Sequence, residues 1–393
     1  MRIAIYVLLS TIVHNLNAQQ IKEPVLEKIK IRAKETHSDA VIITERGKTI
    51  YKDHFGTPEK PMYIASAGKS LVSLAIGNLL LNGQLDSLDQ PVYSLFPEWR
   101  QGQKKMITLR MLLNHTSGLQ DYANASIELE PPPTYKVSNV IDLALAAELT
   151  NSPGSTVFYS NKATALLAGV VEKASGKRFD HFFVDTFFKA LNISDYKWVQ
   201  DEQGNPTTHG AFIIKPSDLL KFGQLVLQKG VYDGKRLVSE DWIGESLSQG
   251  QDFTPIWGLL WWRLPKYEYR IIDKEIWNSW LDAGVSKDFL KKIRPLKGVL
   301  YENKIDFYNA LNRVFGDSWN QILNHELPES VTSSKRIYSK EIIAYYAQGY
   351  RGNYLIIIPE KELVAVRCAD PLDFNYNTDT FEDFITLVSE MVN

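Results

Sequence analysis

Ser66 and Lys69 stand three residues apart at the head of a mostly apolar run, Leu71 to Leu81. Apolar residues at 71, 72, 74, 75, 76, 79 and 80 spread wider than the stripe of a surface helix. The spacing predicts a buried helix with a stop signal at Gly83. On a helix, residues i and i+3 share a face, about 5–6 Å apart at Cβ. The backbone would therefore hold a hydroxyl beside an amine. Free N–H groups and a partial positive charge at the helix N-terminus complete what a serine nucleophile with a lysine base requires. A free lysine has a pKa near about 10.4, so burial or neighbouring cations must lower it before it serves as a base.

Rival readings of these residues exist. Gly68-Lys69-Ser70 looks like the end of a phosphate loop, but the glycine such a loop needs five residues before Gly68 is replaced by Tyr63. Ser-x-x-Lys also recurs at Ser194 to Lys197, so the spacing alone carries little weight. His115, in the polar turn Asn114-His115-Thr116-Ser117-Gly118-Leu119, is a weaker candidate for a general base. No partner carboxylate is suggested for it, and a turn histidine usually satisfies local backbone groups.

The elements that must position these residues follow from the rest of the chain. It has 393 residues, 44% hydrophobic and 23% charged, with net charge −2, which is ordinary globular composition with length for a large core. The near-neutral balance gives no reason to expect nucleic acid or an anionic membrane surface as partner. Cys368 is the only cysteine, which excludes an intrachain disulfide and a Cys/His metal framework. Arg2, the apolar run Ile3 to Val13 and the small residue Ala18 read as a signal peptide over 1–18, cleaved after Ala18. That run is shorter than the roughly 20 residues of a spanning helix. The expectation is a periplasmic or secreted protein with no stable membrane anchor.

Glu23 to Lys34 has helical period, and Val41 to Thr44, a turn at Glu45-Arg46-Gly47-Lys48, then Thr49 to Tyr51 read as a hairpin. Further helices are expected at Ile107 to Leu113, Val137 to Leu149, Ala163 to Ala174, Ser217 to Leu227, Ser239 to Leu247 and Phe381 to Val392. Ser217 and Ser239 are read as N-caps. Pro131-Pro132-Pro133 marks a surface loop. Tyr345 to Arg367 returns to sheet as a hairpin of near-continuous apolar strands, hence central. Arg263 to Tyr346 is charged and aromatic, carries no glycine-rich loop or metal spacing, and reads as a surface elaboration that covers or narrows the cleft.

Three groups now stand in order: Ser66-x-x-Lys69, Phe158-Tyr159-Ser160-Asn161 ahead of a helix, and a glycine-bearing strand edge at Gln348-Gly349. With the Leu112-to-Leu119 tag, this order resembles the serine β-lactamase and penicillin-binding-protein superfamily, and within it the class C β-lactamase-related serine hydrolases. The resemblance starts near Val41, runs through Ile64 to Leu119 and Tyr159 to Gly176, includes Ser217 to Gly230 and resumes at Ala347 to Val366. It implies a single α/β (α+β) catalytic domain over 19–393 of the β-lactamase/transpeptidase-like fold. An antiparallel sheet flanked by helices would carry a mainly helical lobe over roughly 83–260, with 263–346 as an extra segment. It implies Ser66 as acyl-accepting nucleophile, with Lys69 and Tyr159 sharing the proton as base and then acid. Asn161 would bond to Lys69 or to a substrate amide. The third motif, Lys-Thr-Gly in β-lactamases, is here Ala347-Gln348-Gly349, and the backbone N–H of Tyr350 with that of Ser66 would form the oxyanion hole. No cofactor is implied.

The departure at Ala347 removes a positive charge suited to a carboxylate. Arg351, two residues past Gly349, could face the cleft or point away from it. The expectation is an exported hydrolase of esters, amides or D-amino-acid peptides that is a poor β-lactamase, taking a small molecule or peptide as substrate. The alternative is a non-catalytic module of the same fold that binds peptidoglycan fragments. Intact Ser66, Lys69 and Tyr159 discriminate against that alternative.

Overall fold

The structure, a computed structural model, describes residues 21–120, 137–328, 330–369 and 379–391. The leader expected over 1–18 and Pro131–Pro133 lie outside the described residues. In chain order the main elements are helix α1 (Glu23–Glu35), strands β1 (Ala40–Glu45) and β2 (Lys48–Asp53), and helices α2 (Gly68–Leu81), α3 (Leu109–Leu113), α4 (Val140–Ala146), α5 (Asn161–Ser175), α6 (Pro216–Leu227) and α7 (Glu240–Leu247). Strands β3 (Trp262–Pro265), β4 (Ile342–Gly349), β5 (Asn353–Ile358) and β6 (Leu363–Cys368) follow, then helix α8 (Phe384–Glu390). The six strands form one antiparallel sheet in the order β2-β1-β6-β5-β4-β3. The first and last parts of the chain thus meet at its centre, where β1 pairs with β6.

Period two divides the core into two layers. Ala40, Ile42, Leu355, Ile357, Val364 and Val366 share one buried cluster with α2, α5 and α6. Val41, Ile43, Ile356, Ile358 and Ala365 share the other with Leu26 and Ile29 of α1 and Phe384 and Val388 of α8. Helices therefore cover both faces, which explains why these strands read as continuous apolar runs. The β1–β2 turn holds Arg46 at φ 50° and Gly47 at φ 73°, the left-handed pair of a tight hairpin.

Helix boundaries follow their caps. The Thr108 hydroxyl accepts from Met111 N, Asn139 Oδ1 from Ile141 N and Asp142 N, Ser160 Oγ from Ala163 N, and Ser239 Oγ from Trp242 N. The helices expected over 107–113 and 137–149 accordingly shorten to α3 and α4. The last helix spans Phe384–Glu390, inside the expected range. Ser217 is not a cap. Pro216 stands in the first turn of α6, and the distant Glu59 Oε1 accepts from Ser217 N at 2.9 Å.

The extra segment is narrower than expected. Trp262–Pro265 and Ile342–Gly349 are paired strands of the main sheet, so the insertion proper runs over 266–341. It has a core of its own around Trp280, Phe289, Phe307 and Leu311, and a small sheet of Leu300–Tyr301, Glu268–Ile271 and Lys335–Tyr338. None of its described residues is among those lining the cleft at Ser66.

Candidate active site

Ser66 sits in a single 3-10 turn, Ala65–Ala67, that runs directly into α2. The helix therefore begins two residues after the serine, while the i,i+3 geometry survives because both helix types place those residues on one side. The turn is held from behind. Met62–Tyr63 pairs with Ile213–Ile214, and Ile64 N donates to the Phe212 carbonyl at 3.2 Å. Ala65 is left at φ 50°, a left-handed conformation uncommon for a side chain with a Cβ.

Lys69 is 3% exposed. Its Nζ donates to Ser66 Oγ at 2.8 Å and to the His209 carbonyl at 2.7 Å. The ammonium also lies 4.8 Å from the centroid of the Tyr159 ring. Ser66, Lys69 and Tyr159 line one cleft together with His115 and the turn Trp257–Trp262. The Ser194–Lys197 copy is an exposed loop leading into the short strand Tyr196–Trp198, with no helix to hold the pair together.

His115 brackets Tyr159 through the backbone. Its carbonyl accepts from Phe158 N at 2.8 Å and its Nδ1 accepts from Ser160 N at 3.2 Å. The two rings lie 4.8 Å apart. Burial, and secondly the Lys69 charge, push the His115 pKa down to about 3. The imidazole is thus neutral near pH 7 with its acceptor nitrogen turned to the α5 N-terminus. The same two causes push His209 down to about 3. His115 therefore sits where it orients Tyr159, bonding backbone groups as expected of a turn histidine, but groups 45 residues away.

Asn161 opens α5, and its Oδ1 is buried without a hydrogen-bond partner among the described residues. The expected bond to Lys69 is not formed, because the Lys69 amine turns to Ser66 and the His209 carbonyl instead. Asn161, Gln348, Gly349 and Tyr350 are not among the residues lining the cleft. Gln348 is exposed, and the Tyr350 side chain is 55% exposed, so only its backbone is suited to the site. Gly349 nonetheless abuts the serine turn: an added Cβ would stand 2.2 Å from the Ile64 carbonyl oxygen and 3.1 Å from Ala67 N. Only glycine allows β4 this close. Ala347 is fully buried in the core layer shared with α2. Arg351 lies at φ 68° in the β4–β5 turn, its guanidinium 5.8 Å from the Tyr350 ring.

Two further residues, unmarked by any local pattern, hold the third motif in place. Asn353, 1% exposed, donates from Nδ2 to the Tyr350 carbonyl at 2.8 Å and to the Tyr63 carbonyl at 3.4 Å, linking the β4–β5 turn to the strand before Ser66. Arg367, fully buried, donates to the carbonyls of Arg351 and Gly352 at 2.6 and 2.8 Å. Burial draws its pKa down to about 10.

This is the β-lactamase/transpeptidase fold. A putative β-lactamase structure from Bacteroides dorei DSM 17855 aligns with a TM-score of 0.63 at 17% identity, covering 95% of this chain and 99% of that one. The Beta-lactamase family profile matches residues 26–370, and the chain belongs to that family. A 6-aminohexanoate-dimer hydrolase from Paenarthrobacter ureafaciens is 25% identical over 259 residues, 60% of this chain and 62% of that protein. Esterase EstB from Burkholderia gladioli is 31% identical over 161 residues, 35% of this chain and 40% of that protein. The chain thus spans about three fifths or less of these two relatives' length.

Proposed function

We propose that the protein is an exported serine hydrolase that opens ester or amide bonds through an acyl-enzyme on Ser66 and is a poor β-lactamase. The observation that carries this reading is the 2.8 Å contact between Lys69 Nζ and Ser66 Oγ in a cleft shared with Tyr159. In its neutral form, Lys69 accepts the Ser66 proton as Oγ attacks the substrate carbonyl. Lys69 and Tyr159, 4.8 Å apart from amine to ring centre, then return a proton to the leaving group. Water repeats the cycle on the acyl-enzyme. The backbone N–H groups of Ser66 and Tyr350 stabilise the oxyanion, at about 3–4 kcal/mol for each donor.

Relatives that are a 6-aminohexanoate-dimer hydrolase and an esterase support amide and ester chemistry. Ala347, fully buried where a cation would be needed, supports neutral substrates. Export rests on the leader over 1–18. The test is labelling by a fluorophosphonate probe, with nitrocefin and a short-chain p-nitrophenyl ester compared on the same sample. Labelling lost in Ser66→Ala and faster ester turnover are expected. Labelling that survives the substitution refutes the nucleophile, and efficient nitrocefin hydrolysis refutes the preference. Failure of the wild type to label favours a binding module.

A further inference from the structure

We propose that Trp261, seconded by Trp257, reads the leaving-group side of the substrate by donating its indole N–H to a neutral carbonyl oxygen. This deepens the proposed hydrolase reading and rests on it. The primary observation is an unpaired donor. Trp261 is 1% exposed, yet its Nε1 has no hydrogen-bond partner among the described residues, and the residue lines the cleft that holds Ser66 and Lys69. Trp257 lines the same cleft with its own Nε1 likewise buried and unpaired. A buried N–H left without an acceptor is costly, and a ligand that supplies the acceptor recovers that cost.

The register explains the position. Tyr346 pairs with Trp262, so Trp261 and Ala347 each stand one residue along the chain from that pair. Both belong to the same buried cluster. A neutral donor thus stands near the strand position that carries no cation. The side of the substrate follows from the mechanism: Lys69 and Tyr159 deliver the proton to the leaving atom and line the same cleft as the two tryptophans, which places the indoles within reach of the leaving group.

The turn that presents Trp261 is pinned from three helices. The Ser70 hydroxyl of α2 donates to the Leu260 carbonyl at 2.5 Å, Leu260 N donates to the Leu113 carbonyl of α3 at 3.0 Å, and Leu259 N donates to the Ser246 carbonyl of α7 at 2.8 Å. Leu260 is held at φ 63°, and a Cβ at Gly258 would stand 2.3 Å from the Ser246 oxygen. Such strain persists only where the surroundings over-determine it, and rigid support is what a hydrogen-bonding recognition residue needs. Trp257 packs edge-on against His115 at 5.5 Å and against Trp262 at 5.1 Å, which fixes the second donor.

The test compares three thioacetates that differ only beyond the sulfur: S-acetyl thioglycolamide, its near-isostere S-isobutyl thioacetate, and S-acetyl thioglycolate. In each, the acetyl group passes to Ser66 Oγ, the C–S bond breaks, and the thiol departs with the returned proton. Released thiol reads the rate. The expected result is a kcat/KM for the amide about tenfold above both others, one hydrogen bond being worth roughly that factor. In Trp261→Phe the amide-to-isobutyl ratio should collapse towards one. Equal wild-type rates on amide and isobutyl substrates overturn the proposal. So does a variant in which both rates fall together, the signature of lost packing or of an indole satisfied by solvent alone. A wild type that takes none of the three and resists the fluorophosphonate brings down the hydrolase reading itself. A wild type that labels normally yet shows no preference brings down only this inference.

Discussion

The two walls of the cleft are built differently. On the α2 side, charged and polar side chains are buried and paired: Lys69 with Ser66 and the His209 carbonyl, His115 with Ser160 N. On the other side stands the indole of Trp261 with a donor that is unused among the described residues, while Ala347, fully buried in the core and not among the cleft-lining residues, brings no charge. The first wall is organised around proton movement and the second around shape and a neutral acceptor. The comparison teaches that, in this chain, the reacting groups and the selecting groups are separable.

Substitutions test that division, beginning with the largest effect. Ser66→Ala should lower ester turnover by about 10³-fold or more, and Lys69→Met by a similar factor of about 10²–10⁴, since each removes one member of a proton-coupled pair. Initial rates on a p-nitrophenyl ester measure both. Retention of more than a tenth of wild-type activity in Lys69→Met would place the base elsewhere.

Ala347→Lys should fail to create a β-lactamase and should destabilise the protein by about 3 kcal/mol or more. It buries a charge where no space or counter-charge is prepared. Urea unfolding and nitrocefin turnover give the two readings. A stable variant that gains nitrocefin hydrolysis would show that the second wall is only missing its cation, not rebuilt around an indole.

A smaller effect is expected at His115. Replacement by Phe strands Ser160 N, at a cost of about 1–3 kcal/mol, and lets Tyr159 drift, so kcat should fall about tenfold with little change in KM. His115→Asn, which keeps an acceptor near the same place, should recover most of the loss. If both variants lose kcat alike, the ring contact rather than the Nδ1 bond positions Tyr159.

The pH dependence of stability supplies a further test. In the folded protein His115 and His209 stay neutral down to about 3, whereas an unfolded histidine takes its proton near about 6.5. Between those values the unfolded state binds more protons, so stability is complete above about pH 6.5 and is lost as pH falls towards 3. Urea midpoints at pH 7.5, 6 and 4.5 should decline in that order, and less steeply in His115→Asn. A flat profile would mean that the two imidazoles are hydrated.

The chemistry wall was largely legible in the chain. Ser66 and Lys69 are linked by helical spacing, Tyr159 sits in a local tag, and Gly349 lies on a strand with a clear hairpin partner. The selecting wall, and the tertiary contacts that hold both walls, were not. Lys69 finds the His209 carbonyl 140 residues away, Ser70 finds Leu260 at 190, and Asn353 reaches Tyr63 at 290. No periodicity or motif encodes such pairs, because they arise from how elements pack rather than from how they form. The same cause explains Ser217, read as a cap from its neighbours until Glu59 arrived from another part of the fold. The boundaries of the insertion were blurred for a related reason: Trp262–Pro265 is a strand only because Ile342–Tyr346 returns to pair with it.

The central claim is that Ser66 carries the acyl group. Rapid acid quench of the enzyme with a slowly deacylating ester, followed by mass spectrometry of proteolytic fragments, tests it directly. The account predicts a mass increase equal to the acyl group, confined to the fragment containing Ser66 and absent in Lys69→Met at the same quench time. Acyl mass on any other residue, or steady turnover with no acyl adduct and no burst of leaving group, would contradict it.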